Sequence, residues 1–210
     1  MLKYADYLKI LIALLAVIDP LAAIPVIVIM MRRDNPPDLS AIANTVVLTV
    51  TILMLTALLT GEALLTFLGI SINSFRVSGG VLLMLMALAM LQGKISETVL
   101  NKAEVREGET LESFAVVPLG IPLLAGPGAI STVILYAQKG AGLQHNLLIG
   151  IDIIVVGIVL WCVIRATPWL NRHISQTGIN VVIRLMGLIL LALAVEFIAG
   201  GLKGLFPALS

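Results

Sequence analysis

Six long apolar runs, separated by short polar stretches, form the dominant pattern of the chain. Each run is long enough for a helix of about 20 residues, the length that crosses a hydrocarbon core of ~30 Å. The pattern therefore predicts an all-α polytopic membrane protein with six transmembrane spans, numbered in chain order. We predict them at about residues 8–31, 41–68, 72–91, 114–137, 147–164 and 180–198.

Two of these spans contain residues that break helices. Span 1 carries Asp19-Pro20 and Pro25, and residues 118–133 of span 4 carry three prolines and three glycines. Proline lacks a backbone N–H and glycine weakens a helix, whereas every backbone polar group in hydrocarbon needs a partner. We therefore predict that spans 1 and 4 are discontinuous helices whose half-helix N-termini face a polar cavity.

A polar segment, residues 92–113, divides the chain into two parts of three spans each. We predict one membrane domain, 1–210, built from a first three-span repeat (1–91), a polar cytoplasmic linker (92–113) and a second three-span repeat (114–210). Because three is odd, the second repeat must be inverted relative to the first. Two internal similarities support this: Asn73, Arg76 and Gly79 of span 3 correspond to Asn180, Arg184 and Gly187 of span 6, and Asp19-Pro20 corresponds to Gly126-Pro127.

Composition and charge agree with this picture. The chain is 60% hydrophobic and 12% charged, against about 25% charged in soluble domains. The net charge of +1 gives no sign of a nucleic-acid partner, and the single cysteine, Cys162, excludes a disulfide within the chain. Seven lysines and arginines flank the loops after spans 1, 3 and 5, and four flank the other side. The positive-inside rule then places both termini outside the cytoplasm.

The N-terminal apolar run also needs to be distinguished from a signal peptide. It follows Lys3 and Lys9, as the apolar core of a signal peptide would. However, it is too long for that purpose and contains Asp19 and two prolines. We therefore interpret it as a retained first span.

Several motifs together resemble the MarC family of bacterial and archaeal inner-membrane proteins, and the resemblance covers essentially the whole chain. The motifs are Asp19-Pro20-Leu21, Arg76 followed by Gly79-Gly80, residues 117–130, and Arg184-Leu185-Met186-Gly187. The resemblance implies six spans in inverted halves. Some members of the family, the SnatA type, are classed as transporters of small neutral amino acids such as glycine and alanine. Many members have Asn-Pro-Leu-Gly where this chain has Asp19-Pro20-Leu21-Ala22, so an ionisable group here bears on ion coupling.

The first candidate site is the start of the second half of span 4, at Gly126-Pro127-Gly128. Proline is tolerated in the first turn of a helix, and the free N–H groups there would suit the carboxylate of an amino acid. Ser131 and Thr132 follow one turn later. The alternative is a kinked packing helix whose glycines only admit a neighbour.

The second candidate is Asp19, near the middle of span 1, together with Pro20 and Ala22. An unpaired carboxylate at this depth costs at least ~2.5 kcal/mol, so it calls for a function. It would bind the substrate's ammonium group or carry a coupling proton. The alternative is that Asp19 only caps the second half of span 1. The small residues at both breaks leave room for a compact substrate: Ala22, Ala23, Ala125, Gly126 and Gly128.

The remaining polar residues of the spans receive more modest interpretations. Arg76 and Arg184, beside Asn73 and Asn180, are predicted to form a gate or scaffold, with a snorkelling position as the alternative. Thr56 is the predicted substrate contact in a stripe of threonines on span 2, although threonines more often bond to their own helix. Three acidic residues are interpreted as interfacial, with a role in proton relay as the alternative, namely Glu62, Asp152 and Glu196. His145 and His173 are interpreted as loop residues.

The sequence thus predicts a secondary transporter that moves small zwitterionic amino acids by alternating access in the plasma membrane. No metal or cofactor is expected beyond a coupling H⁺ or Na⁺, the lipid bilayer is the expected surrounding, and homo-oligomerisation is left open. The alternatives are an exporter of another small solute and a non-transporting scaffold or regulator. An enzyme is not expected, because the spans contain no His-Glu-x-x-His and no Gly-x-Ser-x-Gly motif.

Overall fold

The computed structural model describes residues 4–31, 38–93, 124–140, 142–173, 176–206 and 208. This part of the chain is all helical. A 3₁₀ turn, Pro20–Ala22, separates the first two of seven α-helices. The helices are α1 Tyr4–Ile18, α2 Ala23–Met30, α3 Leu39–Phe67, α4 Ile72–Leu91, α5 Pro127–Ala137, α6 Leu143–His173 and α7 Gln176–Leu205.

Among the described residues, four helices are long and apolar enough to cross a membrane: α3, α4, α6 and the Asn180–Leu205 part of α7. The shorter apolar helix α5 accompanies them. The chain is therefore an integral multi-pass membrane protein. The count of six spans and the inverted repeat stay predictions. Most of the predicted linker, 92–113, and of the first half of span 4, with Pro118, Gly120 and Pro122, lies outside the described residues.

Helix caps account for where α3 and α4 begin. The Asp38 carboxylate accepts a hydrogen bond from the Ser40 N–H at 2.9 Å, and the Ser71 hydroxyl accepts one from the Ser74 N–H at 3.1 Å. Each cap satisfies a backbone donor that has no partner within its helix. The bounds predicted for span 3 are confirmed, and α3 begins two residues before the prediction and ends one residue before it.

Two predicted helix ends were wrong. The helix of span 5 continues past Arg165 and Pro168 to His173, and the helix of span 6 continues past Gly200-Gly201 to Leu205. A proline removes only one backbone hydrogen bond, and the Thr167 hydroxyl adds a bond to the Val163 carbonyl at 3.0 Å. The two glycines are not a stop signal, because they lie against Arg76 and Val77 of α4 and allow close packing.

The long helices pack as antiparallel pairs. In the α4–α7 pair, Gly80 lies against Ala194 and Ile198, and Gly187 lies against Ala87 and Met90. In the α3–α6 pair, Trp161 donates to Asn44 at 2.9 Å and Gly157 faces Thr51. Small residues at such contacts let two helix backbones approach closely, which is how membrane helices gain packing energy.

The short helices occupy the interior of the bundle. From Ala129 to Tyr136, α5 is buried at every position except Ile130, and α1 is largely buried from Ala13 to Ile18. The long helices instead expose large apolar side chains such as Leu59, Ile158 and Leu188. This distribution is expected in a bilayer, because lipid tails are as apolar as these side chains. Asp19 and Gly126, which precede the two prolines, are thus held away from lipid.

Candidate substrate site

Span 1 is interrupted at Asp19, where the sequence predicted a break. Helix α1 closes with a bond from the Asp19 N–H to the Leu15 carbonyl at 3.0 Å. Asp19 then adopts φ 41° and ψ 75°, and it is the only non-glycine residue with positive φ in the described part of the chain. Aspartate tolerates this left-handed region better than most residues. Pro20 follows as the first residue of the 3₁₀ turn.

The Asp19 side chain is buried and incompletely bonded. It is only 4% exposed, and its Oδ2 atom has no hydrogen-bond partner among the described residues. The backbone N–H groups of Leu21 and Ala22 lie nearby, but the side chain forms no cap hydrogen bond. A buried carboxyl group in this state carries a desolvation penalty, so a proton or a ligand is expected to satisfy it.

The start of α5 resembles the turn after Asp19 in having a proline in its first turn, although the cap residue has a different backbone conformation. Gly126 is the N-cap of α5, with φ −63° and ψ 172°, and Pro127 occupies the first turn. The N–H groups of Ala129 and Ile130 both bond to the Gly126 carbonyl, at 3.0 and 3.2 Å. Two N–H groups near the start of α5 are therefore bonded within the helix. The N–H of Gly128, the residue after Pro127, is not one of them.

Gly128 also has a packing role. A Cβ atom added there would lie 2.8 Å from Leu83 Cδ2 and 3.1 Å from Met86 Sδ on α4. The same surface continues one turn later, where a Cβ atom on Gly79 would lie 2.8 Å from the Ser131 Cβ. The glycines of α5 and α4 thus let the two helices touch, as the packing alternative requires.

The polar residues of the predicted site do not all come together. Ser131 and Thr132 are buried on α5, where the Thr132 hydroxyl donates to the Gly128 carbonyl at 2.8 Å. Thr56 is exposed on α3, where its carbonyl accepts from the Thr60 hydroxyl at 2.7 Å. Pro20, Ala22, Gly126 and Gly128 are buried in the interior.

The two predicted gate or scaffold positions have different surroundings. Arg76 is half-buried beside Gly200, and Asn73 contacts Gly204 on α7. Arg184 and Asn180 are exposed on α7. The end of the bundle that holds Arg76 also holds Tyr7, Lys139 and His145, and we refer to it as the Tyr7 end.

A cleft opens on the outer surface, away from these residues. It has a volume of about 270 Å³ and lies between α3 and α6. None of the predicted site residues lines it. Its walls are largely apolar and consist of Val47, Thr51, Ile154, Gly157, Ile158 and Trp161.

Comparison with known proteins identifies the family. Residues 4–206 match the family described as "MarC family integral membrane protein". The chain belongs to the MarC family. It is 40% identical over 203 residues to the UPF0056 membrane protein YhcE of Escherichia coli (strain K12), with 97% of this chain and 94% of that protein covered.

More distant relatives come from other bacteria and from archaea. The UPF0056 membrane protein BU267 of Buchnera aphidicola (subsp. Acyrthosiphon pisum, strain APS) is 34% identical over 97% of this chain and 94% of its own length. The UPF0056 membrane protein PYRAB13050 of Pyrococcus abyssi (strain GE5 / Orsay) is 34% identical over 93% of both chains. None of these names gives a substrate. No solved structure matches the chain.

The structure of this MarC chain also reveals polar residues that were misread in the sequence. Asp152 was interpreted as interfacial, yet it is 9% exposed and its Oδ2 atom has no partner among the described residues. Its position was the available signal, because it lies on the buried face of α6 with Ile149 and Val156. Glu62 and Glu196 are exposed.

His145 was interpreted as a loop residue and instead lies buried in the first turn of α6. Its Nδ1 atom lies 2.9 Å from the Tyr7 hydroxyl, and its Nε2 atom lies 3.0 Å from the Tyr136 carbonyl. Lys139 lies 4.6 Å from the centre of the Tyr136 ring. Partial desolvation, followed by the nearby Arg76, lowers the pKa of Lys139, against the opposite effect of Glu196 and Asp6.

Proposed function

We propose that this MarC protein is a secondary transporter that moves small neutral amino acids, similar to glycine or alanine, by alternating access. Transport is coupled to an H⁺ or Na⁺ gradient across the plasma membrane of a bacterium or archaeon. In this proposal the chain forms six spans in two inverted three-span repeats, with both termini outside the cytoplasm.

The observation that carries the proposal is the Asp19 carboxyl group. It lies at a break in the backbone, inside the bundle, with one oxygen unpartnered among the described residues. Ionisable side chains at membrane depth are expensive and generally mark a pathway for substrate or ions. In a zwitterionic substrate, the ammonium group would be the natural partner of this carboxylate.

The N-terminus of α5 is the proposed partner of the substrate's carboxylate group. A helix N-terminus carries partial positive charge, and discontinuous membrane helices use such ends to hold carboxylates. The turn at Gly126 is buried, and α5 packs against α1, the helix that precedes Asp19. The amino acid's carboxylate would lie here, and the buried Ser131 hydroxyl on the same helix is proposed to contact it.

The size and charge of the surroundings favour a compact neutral solute. Ala22, Ala23, Ala125 and Gly126 are all buried near the two breaks. The buried charged residues in the described part of the chain are both aspartates, Asp19 and Asp152, and no lysine or arginine is buried with them. An anionic solute would therefore lack a countercharge.

The packing of the long helices supports the inverted repeat. Gly80 of α4 contacts α7 near Ala194, while the corresponding region of α7, at Gly187, contacts α4 near Ala87. This reciprocity is expected when two equivalent helices are related by a two-fold axis in the membrane plane. Arg76 and Arg184, with Asn73 and Asn180, would then be paired positions near opposite ends, where they gate or support the broken helices.

Two other functions remain to be separated from this one. An exporter of another small solute would use the same site with a different substrate. A non-transporting scaffold or regulator is favoured by the packing of Gly128 against α4 and by the bond that commits Thr132 to its own helix. The Asp19 Oδ2 atom, which has no partner among the described residues, favours transport, because a scaffold gains nothing from it.

Uptake into liposomes tests the proposal. The purified protein should accumulate labelled glycine or alanine when a proton or sodium gradient is imposed, and Asp19→Asn should abolish the accumulation. Glu62→Gln is the matched control, because Glu62 is exposed on α3. Uptake equal to that of empty liposomes for a panel of neutral amino acids would instead favour another solute or the scaffold.

A further inference from the structure

Two buried titratable side chains lie on one face of α6, outside the site described above. His145 and Asp152 are 5% and 9% exposed. Seven residues are almost two complete helical turns, so the two side chains project within about 20° of each other and about 10 Å apart along the axis. Ile149 lies between them and is fully buried.

Asp19 is a third buried titratable residue, and it lies deeper in the bundle than His145 and Asp152. The start of α1 meets the start of α6 at Tyr7 and His145, and the 3₁₀ turn and α2, which follow α1, also pack on α6. The two helices therefore run in the same direction. Twelve residues separate Tyr7 from Asp19, which places Asp19 roughly 7 Å deeper than Asp152 at a rise of 1.5 Å per residue.

His145 is bonded so that it can take up a proton without losing a partner. A carbonyl can only accept, so the Nε2 atom carries a hydrogen that it donates to the Tyr136 carbonyl. In the neutral ring, Nδ1 then accepts from the Tyr7 hydroxyl. When Nδ1 gains a proton, it donates to the same oxygen after the hydroxyl hydrogen rotates away.

The Asp152 carboxyl has no comparable partner. Its Oδ2 atom is unbonded within the described part of the chain, and no charged side chain there acts on it. Among the elements packed on α6, α1 brings Tyr7 and the Asp6–Lys9 pair at 3.3 Å, α3 brings the exposed Glu62, α5 brings Tyr136, and α2 brings no titratable residue. Lys139 and Arg76 stay at the Tyr7 end.

This setting suits a proton better than a metal cation. Hard cations take several oxygen ligands at once. The described residues contain no group of three or more His, Cys, Asp or Glu side chains that could hold a metal ion. A lone carboxyl group in an apolar interior is most simply neutralised by binding a proton.

We propose that Asp152 is a proton-binding site that links the Tyr7–His145 pair at the Tyr7 end of the bundle to Asp19. The inference rests on the proposed function, in which Asp19 faces the substrate, and it assigns H⁺ as the coupling ion. His145 protonated at Nδ1 releases that proton, which passes through water to the Asp152 carboxylate, and the imidazole returns to the neutral ring. Protonated Asp152 then passes the proton through water to the Asp19 carboxylate and is itself left ionised.

Infrared spectroscopy of the full chain in lipid tests the site without any substrate. The C=O stretch of a protonated carboxylic acid is separate from the bands of carboxylates. We expect two such bands in mildly acidic solution, one lost in Asp152→Asn and the other in Asp19→Asn. Asp152→Glu should restore the first band at a shifted position, and Glu62→Gln should leave both unchanged. An ionised Asp152 at every pH down to mild acid would overturn the inference.

The route is tested by the exchange of these acid bands in D₂O. If His145 is the entrance, His145→Gln should slow deuteration of the Asp152 band, whereas Glu62→Gln should not. Equal exchange rates in His145→Gln and the unmodified protein would remove His145 from the route.

Uptake assays in liposomes keep the two proposals distinguishable. Asp152→Asn should lose proton-driven accumulation of labelled alanine and retain alanine exchange at equal concentrations on both sides. Accumulation driven by the proton gradient in Asp152→Asn would overturn the proton assignment while leaving the transporter intact. Conversely, two acid bands in a protein that moves no amino acid would uphold the proton site and contradict only the proposed substrate.

Discussion

The two helix starts in the interior, at Asp19-Pro20 and at Gly126-Pro127, both have a proline in the first turn. They differ in the chemistry of the cap residue before it. Each has a cap residue outside the helix followed by proline in the first turn. At the first start, the cap has a left-handed backbone and a carboxyl group with one oxygen unpartnered in the described part of the chain. At the second, the cap is a glycine with extended backbone, and the next glycine is pressed against α4.

This difference indicates that the two halves of the protein contribute different chemistry to the interior. Proline in the first turn ends the preceding helix and begins the next at no cost in hydrogen bonds, since that N–H has no partner within the helix. The cap position is then free to vary. In the first half it supplies an ionisable group, and in the second half it supplies only backbone dipoles and close packing.

The largest expected effect is on stability, at the second start. Gly128→Leu would force side-chain atoms into the space held by Leu83 and Met86. Overpacking of this kind typically costs ~1–3 kcal/mol, so thermal unfolding in detergent should occur at a clearly lower temperature. Leu83→Ala in the same chain should recover part of the loss, because it removes the nearest of these atoms.

Gly150→Ala is the matched control for that experiment. A Cβ atom there meets only Leu55 and Leu58, both at 3.9 Å. Replacing glycine by alanine within a helix should then be neutral or stabilising by up to ~1 kcal/mol. If Gly128→Leu unfolded at the same temperature as Gly150→Ala, the packing role of the second start would be wrong.

An intermediate effect on stability is expected at Asp19. Two variants there separate the contribution of the backbone conformation from that of the carboxyl group. Asp19→Ala should lower the free energy of unfolding by roughly 1–2 kcal/mol, because alanine disfavours the left-handed region. Asp19→Asn should keep the stability, since asparagine tolerates that region, and should still lose gradient-driven uptake. Thermal unfolding and liposome uptake measured on the same preparations provide both readouts.

The contrary result is equally informative. If Asp19→Asn transported normally, Asp19 would be only a cap, and the two starts would be alike in function as well as in backbone. Equal stability of Asp19→Ala and Asp19→Asn would instead show that the left-handed conformation contributes little.

Residues whose effect is local were predictable from the sequence. Asp19-Pro20 predicted a break because proline and the preceding residue constrain their own backbone, and the bounds of α4 followed from the apolar run at residues 72–91. The chain could also be recognised as a membrane protein from composition alone. None of these inferences needed knowledge of a distant contact.

Residues whose effect depends on a neighbour were not predictable. The predicted end of span 6 at about residue 198 was wrong, and only the position of α4 explains Gly200-Gly201 as packing residues inside the helix. Likewise, Asp152 was taken as interfacial because hydropathy does not tell which face of α6 meets other helices. His145 became a candidate only once Tyr7 and Tyr136 were seen beside it.

The smallest expected effect separates the two hydroxyl groups that follow the second start. The Thr132 hydroxyl already donates to the Gly128 carbonyl at 2.8 Å in a fully buried site. Thr132→Val keeps the shape and removes that bond, so the free energy of unfolding should fall by about 0.5–1.5 kcal/mol. Neither KM nor maximal uptake of alanine should change.

Ser131→Ala is the companion variant, because Ser131 lies one residue earlier on the same buried helix, against Gly79. If its hydroxyl holds the substrate carboxylate, KM for alanine should rise in Ser131→Ala and stay constant in Thr132→Val. A rise in KM for Thr132→Val would mean that its hydroxyl leaves the Gly128 carbonyl to bind substrate. The second start would then contribute side-chain chemistry as the first does, and the division between the two halves would fail.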